Sequence, residues 1–147
     1  MQLSNHVKFT LAEAATVAGT ADIESAVYDM AGFEGIVFMT TFGTITSGAV
    51  TSIKAQQGTD ATVTDAADLL GSAITVADDD DGQTFMIDIY RPRERYVRCV
   101  VDRGTQNAVV GEIYALQYDK RGVLPIVNTV ANTLTLETHV SPAEGTA

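Results

Sequence analysis

The sequence predicts an all-β fold, a single antiparallel β-sandwich, on three observations. Short stretches rich in Val, Ile, Thr, Tyr and Phe alternate with turn residues about every 8–12 positions, a spacing typical of sandwiches and barrels. Within residues 83–118, three such stretches follow one another across the polar turns RPRE and DRGTQ, so we expect them to pair as a consecutive antiparallel meander. The 147 residues are enough for one domain with its own hydrophobic core.

The domain is expected to carry an extended segment at each end. Residues 1–20 are expected to form an N-terminal arm, residues 21–122 the sandwich, and residues 123–147 a C-terminal arm or the last strand. In that last segment Leu134 and Leu136 alternate with polar residues, which suits a strand. Two possibilities stay open: the segment completes its own domain, or it pairs with a neighbouring subunit.

The first strands are placed by apolar stretches. One is expected at residues 23–30 and another at residues 35–42, where the run IVFMTTF is apolar on both faces. Such a strand is buried on both sides or lies against a partner, which makes Phe38 and Phe42 candidate contact residues. Further elements are expected downstream: strands at residues 44–46, 49–56 and 73–77, and one helical turn at residues 64–70.

Alternation within residues 83–118 predicts which side chains face the core. The inward set is Phe85, Ile87, Ile89, Val97, Cys99 and Val101. The outward set includes Asp88, Tyr90 and Arg98.

The charge of the chain excludes some classes of partner. With 19 acidic and 9 basic residues, the formal net charge is -10. Such a chain is not expected to bind nucleic acid, because neutralising phosphates needs an excess of Lys and Arg, nor to dock on anionic membranes. No stretch approaches the ~20 apolar residues of a membrane span, and the N-terminus does not match a secretory signal. We expect a soluble protein made in a cytoplasm.

No group of residues predicts an enzyme, a cofactor or a metal site. The run of four aspartates at residues 78–81 is followed by Gly82, but an EF-hand register would place its first and last ligand positions on Ala77 and Asp88. A solvated hairpin tip is the better interpretation. The single cysteine, Cys99, excludes an intrachain disulfide and is expected in the core. No phosphate-binding loop or nucleophile elbow is present.

An arginine cluster is the remaining feature that could carry a function. Five of the nine basic residues lie close together in the sequence: Arg91, Arg93, Arg95, Arg98 and Arg103. They could form a patch for carboxylates of a partner, or they could neutralise acidic residues of the same chain, namely Asp88, Glu94, Asp102 and the aspartate run. Both interpretations stay open.

Residues 67–126 resemble small virion proteins of tailed bacteriophages. The likeness lies in the RPRE turn, in the pattern RYVR…V.RGT.NAV that follows it, and in an R-x-x-x-P segment from Arg121 to Pro125. Residues 52–71 are similar to a part of those proteins where a strand carries a small polar hairpin.

The resemblance implies a jelly-roll-like sandwich that decorates the outer surface of the phage head as a cement protein. It implies the major capsid protein as partner, binding between capsomers, and self-association, often as a homotrimer. Contacts are then expected from the arginine turn, from Phe38 and Phe42, and from Leu134 and Leu136. Alternatives are a head–tail connector, or a carbohydrate-binding or host-attachment sandwich that uses Tyr90, Tyr96, Tyr114 and Tyr118.

Overall fold

Two antiparallel sheets packed face to face make up the fold in a computed structural model, which describes residues 2–128, 134–141 and 143–144. The all-β sandwich is therefore confirmed. A single 3-10 turn, Leu3–Asn5, precedes the strands. In chain order these are β1 (Val7–Glu13), β2 (Thr16–Gly19), β3 (Ile23–Glu24), β4 (Tyr28–Asp29), β5 (Phe33–Ile45), β6 (Val50–Gly58), β7 (Ala67–Asp68), β8 (Ile74–Val76), β9 (Thr84–Tyr90), β10 (Tyr96–Gly104), β11 (Ala108–Val110) and β12 (Ile113–Lys120).

The long strand β5 organises the first sheet. Its first part pairs with β12 on one side and with β9 on the other, and β1 pairs with β12 beyond it. Its last residues pair with β11, which pairs in turn with β2. In the second sheet, β10 and β6 form the centre, β3 and β4 flank β10, and β7 and β8 flank β6.

The core lies between the sheets and follows the alternation of the strands. From β5, Ile36, Phe38 and Phe42 point inward and are at most 2% exposed. Facing them from β10 are Val97, Cys99 and Val101, all fully buried, so the expected inward set of that strand is confirmed. On β9, Ile87 is buried and Phe85 and Ile89 pack against the core, also as predicted. Among the described residues, no helix is long and apolar enough to cross a membrane.

The predicted meander is wrong, although the strands it contained are present. β9 belongs to the first sheet and β10 to the second, and the chain then returns to the first sheet as β11 and β12. The RPRE segment is therefore a crossing between sheets, and its first residue, Arg91, has a positive φ of 54°. The third stretch is divided at Gly111, where a Cβ would lie 2.4 Å from the Thr41 hydroxyl.

The N-terminal residues are extended, as expected, but they lie within the sandwich rather than outside it. β1 pairs with β12 from Val7 opposite Tyr118 to Glu13 opposite Ile113, and β2 pairs with β11. The division at residue 20 is therefore corrected: residues 7–19 complete the first sheet. Local sequence does not show this, because the partners lie about a hundred residues further along the chain.

Two other expectations also differ from the structure. Residues 64–70 form no helical turn, because the Asp65 carboxylate accepts hydrogen bonds from the Thr59 backbone and hydroxyl, and β7 pairs with β6 instead. The strand expected at residues 23–30 is interrupted between β3 and β4. There the Ser25 hydroxyl accepts the Cys99 N–H, which maintains the connection to β10 across the gap.

The C-terminal segment lies against the N-terminus of its own chain. Ile126 is buried and donates its N–H to the Asn5 carbonyl. Asn128 accepts the Phe9 N–H at 2.7 Å and donates to the carbonyls of Ser4 and Val7, so its amide caps the outer edge of β1. Of the strand considered at residues 133–140, position 133 lies outside the described residues, and residues 135–140 form no strand.

Candidate interaction surfaces

The arginines of the RPRE turn form ion pairs within the chain. Arg91 and Arg121 both bind the Glu34 carboxylate, and Arg95 makes a bidentate pair with Asp29 at 2.7 and 2.9 Å. Arg121, and then Arg91, lowers the pKa of Glu34. Arg95 lowers the pKa of Asp29 to about 2. Internal neutralisation therefore occurs, but with acids on β4 and β5 rather than with Asp88, Glu94 and Asp102.

The other members of the arginine cluster have different roles. Arg98 lies on β10, where it pairs with Glu24 at 2.6 Å and is largely covered. Arg93 is exposed and makes no ion pair within the part of the chain that the structure describes. It is thus the member whose guanidinium is most available to a partner.

Arg103 is a structural residue. It is only 6% exposed, and its guanidinium donates to the carbonyls of Val17, Ala21 and Ala108. Burial lowers its pKa. These bonds join β10 to β2, to the β2–β3 connection and to β11, so the predicted partner contact at Arg103 is wrong for the folded chain.

The apolar contact candidates divide in the same way. Phe38 and Phe42 lie in the core, where Tyr28 and Phe85 pack edge-on against them, so neither can reach a partner. Leu134 and Leu136 do lie at the surface. They line an apolar groove of about 360 Å³ together with Leu3, Ser4, Val7, Phe9 and Asn128.

The aspartate run closes a loop. Asp78 accepts the Gly48 N–H at 2.6 Å, and Asp80 accepts the Ala77 N–H and the Gln83 amide. Within the described ranges, no group of three or more His, Cys, Asp or Glu side chains is placed to hold a metal ion. The Cys99 thiol is fully buried, and burial raises its pKa to about 12, so it is not a nucleophile.

A continuous apolar surface lies on the outside of the first sheet. Because Ile36, Phe38 and Thr40 point inward, the alternate residues of β5 and their cross-strand partners point outward. These residues form three cross-strand rows, which we call the outer face: Val7, Tyr118, Gly35 and Tyr90; Phe9, Leu116, Val37 and Asp88; Leu11, Tyr114, Met39 and Met86.

Aromatic contacts stabilise the arrangement of the outer face. Phe9 packs against Tyr114 at 6.1 Å between ring centroids, and Tyr90 stacks on Tyr118 at 6.5 Å and 10°. Asp88 is its one charged side chain, and it accepts the Tyr118 hydroxyl at 2.6 Å. Met86 and Tyr90 are each 54% exposed. Of the described C-terminal residues, Leu134 and Leu136 lie beside Val7 and Phe9 at the β1 margin of this face.

Sequence reasoning found part of this surface. Alternation placed Asp88 and Tyr90 on the outward side of β9, and the structure agrees. It missed the residues of β1, because β1 was expected in an arm. For the β5 run, burial on both sides or contact with a partner was expected, and the contact residues named were Phe38 and Phe42, which lie in the core. The signal was present in β1, whose residues Val7, Phe9 and Leu11 alternate with Lys8 and Thr10.

Comparisons of this chain with protein-family models, with curated proteins and with solved structures found no match.

Proposed function

We propose that this chain is a non-enzymatic structural protein of a tailed-bacteriophage virion, which binds the outer surface of the capsid between capsomers and stabilises the head. The outer face is the observation that carries the proposal. A contiguous apolar sheet face rimmed by polar residues is typical of a surface that binds another protein. The resemblance of residues 67–126 to phage virion proteins supplies the identity of that partner, the major capsid protein.

The mechanism follows from mass action. A ligand that binds the assembled shell and not its free subunits stabilises the shell by RT ln(1 + [L]/Kd). Covering the outer face would remove Val37, Met39 and Leu116 from water, each at about 25 cal/mol per Å² of apolar area buried. The net charge of -10 keeps the unbound protein soluble at high concentration. The proposal includes a homotrimer on the shell, which light scattering of the free protein and copy number in the virion would measure.

The test measures binding of the purified protein to expanded capsid shells that lack it. Val37→Lys places a charge at the centre of the outer face, and we expect it to weaken binding at least about tenfold, because a buried unpaired charge costs more than 1.4 kcal/mol. Val50→Lys is the matched control, because Val50 is 66% exposed on the second sheet. Failure of the unmodified protein to bind shells would overturn the function. Equal binding by Val37→Lys would overturn the role of the outer face.

A second candidate function rests on a different feature of the same face. Tyr90 and Tyr118 present two nearly parallel rings beside the carboxylate of Asp88, a combination that can stack on a sugar and accept its hydroxyls. This favours the carbohydrate-binding or host-attachment alternative. A glycan array separates the two proposals. Glycan binding is favoured if the protein binds a glycan on the array, loses that binding in Tyr90→Ala, and does not bind capsid shells.

A further inference from the structure

The outer edge of β9 presents backbone groups that no described strand pairs with. Arg91 donates its N–H to the Glu34 carbonyl at 2.6 Å, which fixes the phase of the β5–β9 ladder. In an antiparallel ladder, alternate residues direct both backbone groups to opposite sides. The residues whose N–H and C=O groups point away from β5 are therefore Thr84, Met86, Asp88 and Tyr90. Among the described residues, β9 pairs only with β5.

A groove runs beside this free edge. Its far wall is formed by Leu69 and Leu70, between β7 and β8, and by Ile74 at the start of β8, while residues 86–89 form the near wall. One depression of about 340 Å³ lies next to Met86, and a second of about 450 Å³ continues to Arg93. Both are lined by Leu69, Leu70 and Ile89. We call this continuous depression the β9 groove.

Each wall of the groove exposes a large apolar side chain. Leu70 has 104% of its reference exposure, and Met86 on the opposite wall has 54%. Two large apolar side chains thus line a groove whose floor is an unpaired strand edge. An extended segment that pairs with β9 would cover both and would satisfy the free backbone groups in one step.

The charge at the centre of the groove selects the residue that pairs there, whereas Asp68, Arg91 and Arg93 line the other end. Asp88 is the one acidic side chain of β9, and it lies on the outer face in the middle of the strand. A residue paired directly opposite it would project on the same face, where Lys or Arg is stabilised and Asp or Glu is repelled. The net charge of -10 favours a basic partner segment in the same direction.

We propose that the β9 groove binds an extended segment of a different protein chain by antiparallel strand addition. That segment carries Lys or Arg opposite Asp88 and apolar residues at the alternate positions that face Leu69, Leu70 and Ile74. The antiparallel direction is inferred because every strand pair of this fold is antiparallel and such pairs are slightly more stable. The proposed strand addition does not depend on the proposed function. It rests on that function in one respect, the naming of the capsid subunit as the chain that supplies the segment.

A second copy of this chain is the less favourable occupant. If two β9 edges pair antiparallel over their full length, Asp88 lies opposite Met86, and a shift of the register by two residues can place it opposite the Asp88 of the other copy. Both arrangements bring two carboxylates together between two chains of net charge -10. Asp88 therefore acts against pairing between copies while it selects a basic strand.

The direct test uses a synthetic peptide as long as β9, acetyl-Thr-Val-Arg-Val-Thr-Val-Thr-amide, which places Arg opposite Asp88. Amide NMR of the full chain, titrated to about 1 mM peptide, detects even weak binding. We expect shifts concentrated at residues 84–90 and 69–74. The peptide with Glu in place of Arg should bind at least about fivefold more weakly, because it replaces an attraction with a repulsion. Shifts elsewhere, no shifts at all, or equal binding by the two peptides would overturn the proposal.

Two N-methylated peptides test the backbone pairing separately from the side chains. The N–H of the Arg opposite Asp88 is expected to bond to the β9 edge, whereas that of the following Val points away from it. Methylation of the Arg nitrogen should therefore abolish binding, and methylation of the Val nitrogen should leave it nearly unchanged. Equal effects would show a contact made by side chains alone and would contradict strand addition.

Variants of the protein connect this site to the shell. Met86→Pro removes the backbone N–H of residue 86, which points away from β5, and an edge strand tolerates proline at such a position. Met86→Ala is the control, because it also removes the Met side chain but keeps the N–H. We expect Met86→Pro to lose peptide binding and to weaken shell binding more than Met86→Ala does. Full shell binding by Met86→Pro would overturn the role of the β9 groove in binding the shell and would leave the proposed function intact.

The reverse outcome is equally distinguishable. Peptide binding by a protein that fails to bind shells would overturn the proposed function and leave the β9 groove intact. A dimer in sedimentation experiments that dissociates on Met86→Pro would show a second copy as the occupant and would overturn the choice of a different chain.

Discussion

Tyr118 on β12 donates its hydroxyl to Asp88 Oδ1 on β9 at 2.6 Å. To reach it, the Tyr118 ring crosses β5 above Gly35, because β5 lies between β12 and β9. A Cβ at position 35 would lie 2.2 Å from the Tyr118 ring. Burial, and then the bond to Asp88, raises the pKa of Tyr118, so the phenol stays protonated as the donor. Three adjacent strands are thus held in register on the outer face by one side chain.

Gly35→Ala should therefore destabilise the protein, because its methyl group and the Tyr118 ring cannot occupy the same space. We expect a loss of about 1–3 kcal/mol in the free energy of unfolding, measured by urea titration. In a Tyr118→Ala background the methyl has room, and the same substitution should cost less than about 0.5 kcal/mol. Equal costs in the two backgrounds would contradict the steric explanation.

Replacement of Arg103 should be costly although its guanidinium forms no ion pair within the described part of the chain. Arg103→Met leaves the carbonyls of Val17, Ala21 and Ala108 without their shared donor, and we expect a loss of about 2–4 kcal/mol on urea unfolding. Arg93→Met removes an exposed guanidinium and should change stability by less than about 0.5 kcal/mol. Similar effects of the two substitutions would show that Arg103 is not structural.

The alternation of apolar and polar residues predicted correctly which side chains point to the core, but it did not predict which strands pair with each other. In β9 and β10 it identified the core residues, because the side chain of each residue is set by its own strand. It could not identify the sheet, because pairing is decided by distant strands: β9 pairs with β5, and β10 with β6. The short RPRE turn favoured a hairpin, but the five residues 91–95 that connect β9 to β10 also suffice to cross from one sheet to the other.

The candidate site was only partly predictable for the same reason. Internal pairing of the arginines was one of two interpretations, but the acids that bind Arg91, Arg95 and Arg98 lie 57, 66 and 74 residues away in sequence. The β9 groove has no local signal at all. Leu70 and Met86 come together only because β7 and β8 join the second sheet while β9 joins the first.

The ion pair between Asp29 and Arg95 should make stability depend on pH in the acidic range. In the folded chain the pKa of Asp29 falls from its ordinary value of 3.8 to about 2, so the folded state binds fewer protons than the unfolded state. The stabilisation is complete above the ordinary value and is lost as pH falls through about 2. Asp29→Asn should therefore be less stable than the parent at neutral pH, with a difference that disappears near the lower limit.

Urea unfolding across this pH range measures the effect. Asp79→Asn is the matched control, because it removes one negative charge from a side chain that makes no hydrogen bond in the described part of the chain. A difference between Asp29→Asn and the parent that stays constant down to the acid limit would show that the pair with Arg95 does not stabilise the fold.

Asn128 should control how firmly the C-terminal segment is held on β1. Its amide accepts the Phe9 N–H and donates to the carbonyls of Ser4 and Val7, so it replaces a neighbouring strand at this edge. Asn128→Asp keeps the acceptor but turns a carboxylate toward two carbonyls, and we expect a loss of about 1–3 kcal/mol. Exchange of the Phe9 amide proton should accelerate while the amides of β10, in the other sheet, stay protected. Asn107→Asp, in an exposed turn, provides the control, and unchanged Phe9 exchange in Asn128→Asp would show that the edge is closed by other contacts.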